Sequence, residues 1–268
     1  MADKYAVIGN PITHSKSPFI FRAFAAQTGE DIEYVPLQAP LDGFADFIER
    51  VMDAGYKGVN VTAPFKQEAY NLANDLTYAA RVSRSANMLT FEGDSILADS
   101  TDGDGLMQDI RFNLGISLIY QKKVLLIGAG GAARSIALQL SEEGTKLVIA
   151  NRTVEKAMEL ASEYHNVEGC GFDTLSGRKF DIVINATSTG FQDIELPLPV
   201  DIFADHALAY DIAYGRMTPF MKFAETNGVS GVYDGLGMLV EQAAQSFYIW
   251  RGKHPDTHAI IRWWRKVQ

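Results

Sequence analysis

The stretch KVLLIGAGGAARS, from Lys123 to Ser135, runs an apolar strand into a glycine turn and then a helix, and its reading decides the fold. In a βαβ dinucleotide unit the first glycine makes the tight turn and the second lets the backbone approach a pyrophosphate. The phosphates rest on the N-terminus of the following helix. Gly128 and Gly130 fit these two roles, and Gly131 adds another small residue beside the phosphates. The third position needs a small side chain for close helix-strand packing, and it falls on Ala133. A short glycine pattern is common by chance. This one follows KVLLI and precedes an amphipathic helix over Ala132 to Glu143 that Gly144 closes.

The next strand, KLVIA from Lys146 to Ala150, should end at the adenosine ribose, where NAD-specific sites carry an Asp or Glu for the 2′-hydroxyl. Asn151-Arg152-Thr153 stands there instead. Arg152 can make charge-assisted hydrogen bonds to a 2′-phosphate, Thr153 adds a hydroxyl, and Lys156 offers a second cation one helical turn on. The plain alternative is a solvated helix start, with Thr153 merely its N-cap. The glycine turn and the cation stand in register within one unit, which favours NADP.

A chain of 268 residues, 47% of them hydrophobic, can supply a core for each of two domains. The formal net charge of −9 argues against nucleic-acid or anionic-membrane binding, so cations such as Arg152 act locally. The single cysteine, Cys170, allows neither an intrachain disulfide nor a cysteine metal cluster, and no metal is expected. The opening MADKYAVIGNP lacks the pattern of a secretory leader, and no apolar run approaches membrane-spanning length. A cytoplasmic protein, monomer or homodimer, is expected.

Apolar runs alternate with helical patterns from the start: YAVIG, a helix after Pro18 that stops at Gly29, IEYVPL, a helix near Leu41 to Asp53, and GVNVT. Ser17 before Pro18 reads as an N-cap and first-turn pair. Segments 87–91 and 95–99 read as a hairpin, and a helix over about 104–113 leads out of this first α/β domain. Beyond the glycine turn, FDIVINAT and LAYDIA continue a doubly wound Rossmann-type sheet. The tail from Gly235 is helical and is expected to return to the first domain, with Trp250, Trp263 and Trp264 as packing residues. The expected division is therefore 1–104 with 238–268, and 105–237.

Chemistry-bearing residues outside the glycine turn are Ser15 and Ser17 in HSKSP, Thr62 and Lys66 in NVTAPFK, Asn87, Asp102 in STDGDG, and Gln242 in DGLGMLVEQAA. Singly, each has a plain explanation: a helix cap, a solvated lysine after Pro64, a carboxylate in a glycine turn. Together they suit a small polyhydroxylated acid, with hydroxyls and amides for its oxygens and one lysine for proton transfer.

At these residues the chain resembles the shikimate dehydrogenase family over nearly its whole length. The matching segments are GNPITHSKSP (9–18), GVNVTAPFK (58–66), STDGDG (100–105), GAGGAAR (128–134), NRT (151–153), NATSTG (185–190) and DGLGMLVEQA (234–243). The resemblance implies an oxidoreductase that reversibly reduces 3-dehydroshikimate to shikimate with NADPH, in aromatic amino acid biosynthesis. By the same resemblance Lys66 is the catalytic acid/base, paired with Asp102. Ser15, Ser17, Thr62, Lys66, Asn87, Asp102, Tyr214 and Gln242 hold the substrate. Gly128, Ala129, Gly130, Gly131, Ala132, Asn151, Arg152, Thr153, Lys156 and Thr187 hold the cofactor, with Ile212 and Gly235 at its nicotinamide end. Two positions depart from the family pattern: Met88 stands where a Thr is usual, and Arg216 where a Pro often follows the matched tyrosine. A quinate/shikimate dehydrogenase using NAD or both cofactors, and a non-catalytic sensor on the same fold, are the rival readings. Two serines at Ser15 and Ser17 resemble the shikimate-selective pattern, and Arg152 favours NADP.

Overall fold

The structure is a computed structural model and describes residues 2–116 and 119–267. It divides into two units, Met1–Gly105 with Leu239–Gln268, and Leu106–Met238.

In the first unit, strands and helices alternate as β1 (Asp3–Gly9), α1 (Ser17–Thr28), β2 (Ile32–Gln38), α2 (Phe44–Asp53), β3 (Tyr56–Val61) and α3 (Lys66–Leu72). The short β4 (Asp75–Leu76) and α4 (Tyr78–Ser83) lead to the hairpin of β5 (Met88–Glu92) and β6 (Ser95–Asp99), and α5 (Asp102–Gln108) carries the chain onward. The sheet order is β2-β1-β3-β5-β6-β4. β1 runs parallel to β2 and β3, while β5 pairs antiparallel with β3 and β6. Its core includes Ile8, Phe44, Ile48, Val59, Phe65 and Leu89.

The second unit shows why its strands read as unbroken apolar runs: a parallel sheet is covered on both faces, so alternate polar positions disappear. Its elements are β7 (Lys123–Ile127), α6 (Gly131–Glu142), β8 (Lys146–Ala150), α7 (Val154–Ala161), β9 (Glu168–Cys170), β10 (Phe180–Asn185), α8 (Thr189–Gln192), β11 (Phe203–Asp211), α9 (Pro219–Thr226) and β12 (Gly231–Asp234). The order β12-β11-β10-β7-β8-β9 is the doubly wound arrangement, all parallel, with one core on each face of the sheet. Its switch point lies between β7 and β10, where ligands of such sheets bind at the carboxyl ends of the strands.

α10 (Leu236–Arg251) begins in the second unit and continues into the first, to which α11 (Thr257–Val267) also belongs. The tail packs there through Trp250, which stacks on Tyr5 at 4.6 Å and donates to Thr90 Oγ1 at 3.0 Å. Gly58 makes room for it, since a Cβ there would stand 2.7 Å from the indole nitrogen.

Two local expectations change. Ser17 is the first residue of α1 rather than its cap; Lys16 holds the N-cap position and makes no side-chain cap bond. Ser17 is buried, and its hydroxyl lowers the Tyr34 phenol against the effect of burial. The helix expected over about 104–113 begins at Asp102 and ends in a π-helical turn, Asp109–Asn113. Asp109 is fully buried there and accepts from Asn113 Nδ2 at 2.9 Å and the Tyr210 hydroxyl at 2.7 Å.

Candidate active site

In the first unit, the turn after β3 closes with the Phe65 amide donating to the Thr62 carbonyl at 3.1 Å. Phe65 is fully buried and stacked on Phe44 at 4.8 Å, which anchors the start of α3. Lys66 is the first residue of that helix, and its carbonyl accepts from the Ala86 amide at 3.1 Å. Its Nζ donates to Asp102 Oδ2 in an ion pair whose side chains are 16% and 9% exposed. An ammonium has three donors. One is committed to Asp102, so others remain for a ligand oxygen.

Asn87 organises the other side of Asp102. Its Oδ1 accepts from the Thr101 amide at 2.7 Å, which fixes which end of the carboxamide is oxygen. The Nδ2 then faces Thr101 Oγ1 at 2.9 Å, Asp102 Oδ1 at 3.1 Å and Gln242 Oε1 at 3.2 Å. Two hydrogens cannot fully serve three acceptors, so acceptor capacity is left over for a hydroxyl-bearing ligand. Gln242 donates to the Leu239 carbonyl at 2.8 Å, which holds its amide in place.

A buried network extends this cluster through Asn60 to Tyr34 and Ser246. Asn60 accepts from the Tyr34 hydroxyl at 2.8 Å and donates to Ser246 Oγ at 2.9 Å and the Asn87 carbonyl at 3.3 Å. Burial pushes the Tyr34 phenol well above its usual range, against the lowering effect of the Ser17 hydroxyl. The Ser17 amide in turn donates to Ser15 Oγ at 3.3 Å. Thr62 lies against Gly9, where a Cβ would fall 2.5 Å from its methyl group. Ser15, Ser17, Thr62, Lys66, Asn87, Asp102 and Gln242 thus all lie in the first unit. Tyr214 lies in the second, packed edge-on against Phe191 at 6.2 Å.

In the second unit the glycine turn follows β7. Gly128 has φ +117°, and a Cβ on it would meet the Ala186 carbonyl oxygen at 3.0 Å, so both conformation and space demand glycine. Gly130 differs: nothing stands within 4 Å of where its Cβ would be, and that space adjoins the uncapped N-terminus of α6. Ala133 is fully buried, as a position of close helix packing must be. After β8, Arg152 and Lys156 are exposed, with no side-chain ion pair or hydrogen bond among the described residues. Thr153 does occupy the N-cap position of α7, yet its hydroxyl makes no cap bond. Backbone N–H groups, open space and unpaired cations fit a 2′-phosphorylated dinucleotide.

Sequence reasoning passed over a buried hub beside this turn. Asp211 and Asn185 are both fully buried. Asp211 Oδ2 accepts from Asn185 Nδ2 at 3.1 Å and Thr218 Oγ1 at 2.7 Å, and its Oδ1 from the Ala213 amide at 2.9 Å. Asn185 Oδ1 accepts from the Thr187 amide at 3.2 Å and hydroxyl at 2.7 Å. Burial raises the Asp211 carboxyl above its ordinary range, while the Thr218, Ala213 and Asn185 hydrogen bonds oppose that rise. The available signal was polar residues inside apolar strands, INAT and AYDIA, since a buried carboxylate needs partners. Ile212 and Gly235 are brought together: a Cβ on Gly235 would lie 2.2 Å from the Ile212 carbonyl oxygen.

Of the departures from the family pattern, Met88 is buried at the start of β5 and fills core, and Arg216 forms a surface ion pair with Asp193. No group of His, Cys, Asp and Glu among the described residues could hold a metal, and none of the described helices is long and apolar enough to cross a membrane.

Comparison with known proteins gives three family matches: the shikimate dehydrogenase substrate binding domain over residues 7–89, shikimate / quinate 5-dehydrogenase over 113–195, and the shikimate 5'-dehydrogenase C-terminal domain over 235–262. A shikimate dehydrogenase (NADP(+)) from Methylobacillus flagellatus is 52% identical over 264 residues, covering 97% of each chain. Among solved structures, an Ael1 enzyme from Pseudomonas putida superposes with a TM-score of 0.90 at 43% identity, covering 97% of each chain. The shikimate 5-dehydrogenase from Thermus thermophilus, in complex with NADP(H) and shikimate, does so with a TM-score of 0.88 at 28% identity, over 99% of this chain and all of that one.

Proposed function

The chain belongs to the shikimate dehydrogenase family, and from that premise we infer that it catalyses the reversible, NADP-dependent interconversion of shikimate and 3-dehydroshikimate. The observation that carries the reading to particular atoms is the Lys66–Asp102 ion pair, set in the amide network of Asn87 and Gln242. The first unit, with its tail, is the substrate-binding and catalytic part, and the second is the NADP-binding part.

When bound, NADP supplies or accepts the hydride. In the reductive direction the carbonyl oxygen of 3-dehydroshikimate takes a proton from Lys66 Nζ to become a hydroxyl. Asp102 orients the Lys66 ammonium through their ion pair. The side chain's 16% exposure gives it a route to recover a proton from water afterwards. In the oxidative direction Lys66 Nζ takes the proton that the hydroxyl gives up. Asn87 and Gln242 offer amide groups, and Ser15, Ser17 and Thr62 hydroxyls, to the substrate's oxygens. Gly128 to Ala132 would cradle the pyrophosphate, Asn151 to Thr153 with Lys156 would receive the 2′-phosphate, and Thr187, Ile212 and Gly235 would serve the nicotinamide side. Tyr214 completes the substrate set. The enzyme works in the cytoplasm on free small molecules, as a monomer or homodimer.

A panel of hydroxylated ring acids with NADP+ tests the assignment through the near-ultraviolet absorbance of NADPH. Shikimate should support turnover, and quinate turnover at least about tenfold slower, the scale of one unmatched polar group in a site. Absence of NADPH formation from shikimate would overturn the assignment.

A further inference from the structure

Three loops proposed to face the nicotinamide end of the cofactor leave the carboxyl ends of β10, β11 and β12, and the buried Asp211 lies where they meet. Through Ala213 N it fixes the chain beyond Ile212, and through Asn185 it fixes Thr187. Asn185 also accepts the Ile212 amide on its backbone carbonyl at 3.0 Å, and the Gly235 amide donates to the Ala213 carbonyl at 2.9 Å. Gly190 packs directly on the carboxylate, since a Cβ there would stand 3.1 Å from both oxygens. The adenosine-side groups, Gly130, Arg152 and Lys156, have no hydrogen bond with Asp211 or Asn185.

We propose that the Asp211–Asn185 pair is a positioning device for the nicotinamide half of the dinucleotide site, leaving the 2′-phosphoadenosine half untouched. The proposal rests on the cofactor reading above. Its chemistry follows from donor and acceptor count. Three donors converge on the Asp211 carboxylate, and an amide in its place would turn an NH2 toward at least one of them. Thr187 and Ile212 would then lose their fixed positions by a fraction of an ångström, enough to misalign hydride transfer. A carboxylate that only stabilised the fold would affect the whole unit alike.

The test compares Asp211→Asn with wild type by calorimetric titration of NADP+ and of 2′-phosphoadenosine diphosphate ribose, which lacks the nicotinamide. Thermal unfolding and shikimate kinetics complete it. Expected are fragment affinity within about twofold, NADP+ affinity reduced about fivefold, and kcat reduced about tenfold with little change in the shikimate KM. Thr218→Val, which removes a single donor, should show the same split on a smaller scale even if Asp211→Asn folds poorly. The exchange Asp211→Asn with Asn185→Asp keeps one amide facing one carboxylate and should recover part of the loss. Equal weakening of NADP+ and fragment, or no change in either, would overturn the proposal. A wild type that binds both ligands but ignores shikimate would instead sink the substrate assignment, with the binding comparison still deciding this one.

Discussion

The two proposed sites, one in each unit, are built in opposite ways. In the first unit Lys66, Asp102, Asn87 and Gln242 hold one another, so the proposed proton donor has its geometry before any ligand arrives. In the second unit the groups proposed to face the phosphates are backbone at Gly130, an uncapped helix and the side chains of Arg152 and Lys156, unpaired among the described residues. A proton transfer needs a prealigned donor, and alignment is worth much of the rate. A polyanion needs unsatisfied donors, which an internal network would have consumed.

The contrast breaks first at Lys66. Lys66→Ala should lower kcat by about a thousandfold, within the range of one general acid/base, with shikimate affinity kept within a few-fold in a binding titration. Near-normal turnover would remove Lys66 from the role. Arg152→Ala should raise the KM for NADP+ by roughly 10- to 100-fold, the scale of one or two charge-assisted hydrogen bonds, and leave that for NAD+ unchanged. A parallel loss with both cofactors would return Arg152 to being a solvated surface residue.

The glycines sharpen the difference between a site that needs space and one that needs backbone conformation. Gly130→Ala should weaken NADP+ binding about tenfold while leaving the melting temperature nearly unchanged, because its added methyl meets no protein atom. Gly128→Ala should cost about 1–3 kcal/mol of stability in denaturant unfolding, since φ is +117° and the methyl presses on the Ala186 carbonyl. Equal effects on stability from the two would mean that the open space at Gly130 is not reserved for a ligand.

The smallest effect concerns acid. Lys57 and then Arg251 hold Asp3 below the ordinary carboxylate range, and Lys253 and Arg251 do the same for Glu30. Their contribution to stability is complete above that range and is lost as pH falls through their lowered values. Asp211 runs the other way: its raised value means its charged form opposes folding above that pH, and protonation relieves the cost. Hydrogen exchange should therefore show β1 losing protection before β11 on acidification, slightly and less so in high salt. Loss in the reverse order would contradict these assignments.

The sequence made the second unit legible because parallel strands and glycine turns are local signals: KVLLI, GAGG and NRT each speak within a dozen residues. Lys66 and Asp102 were each legible as chemistry-bearing residues, but their pairing was legible only through resemblance, because the bond joining them spans 36 residues. The Ser17 cap was misread because α1 starts at Ser17 itself, with Lys16 in the N-cap position and no side-chain cap bond, and no local pattern announces that. Asp211 and Asn185 escaped for a similar reason. A polar residue in a buried strand says that partners exist but not which ones, and Thr218 and Ala213 arrive from chain that the strand does not pair with.

The most direct test of the account is the initial rate of NADPH or NADH formation from shikimate, measured with NADP+ and with NAD+ over matched concentrations. The expected result is a kcat/KM at least about a hundredfold higher with NADP+, the worth of about two charge-assisted hydrogen bonds to the 2′-phosphate. Equal efficiency with NAD+, or no turnover with either, would contradict it.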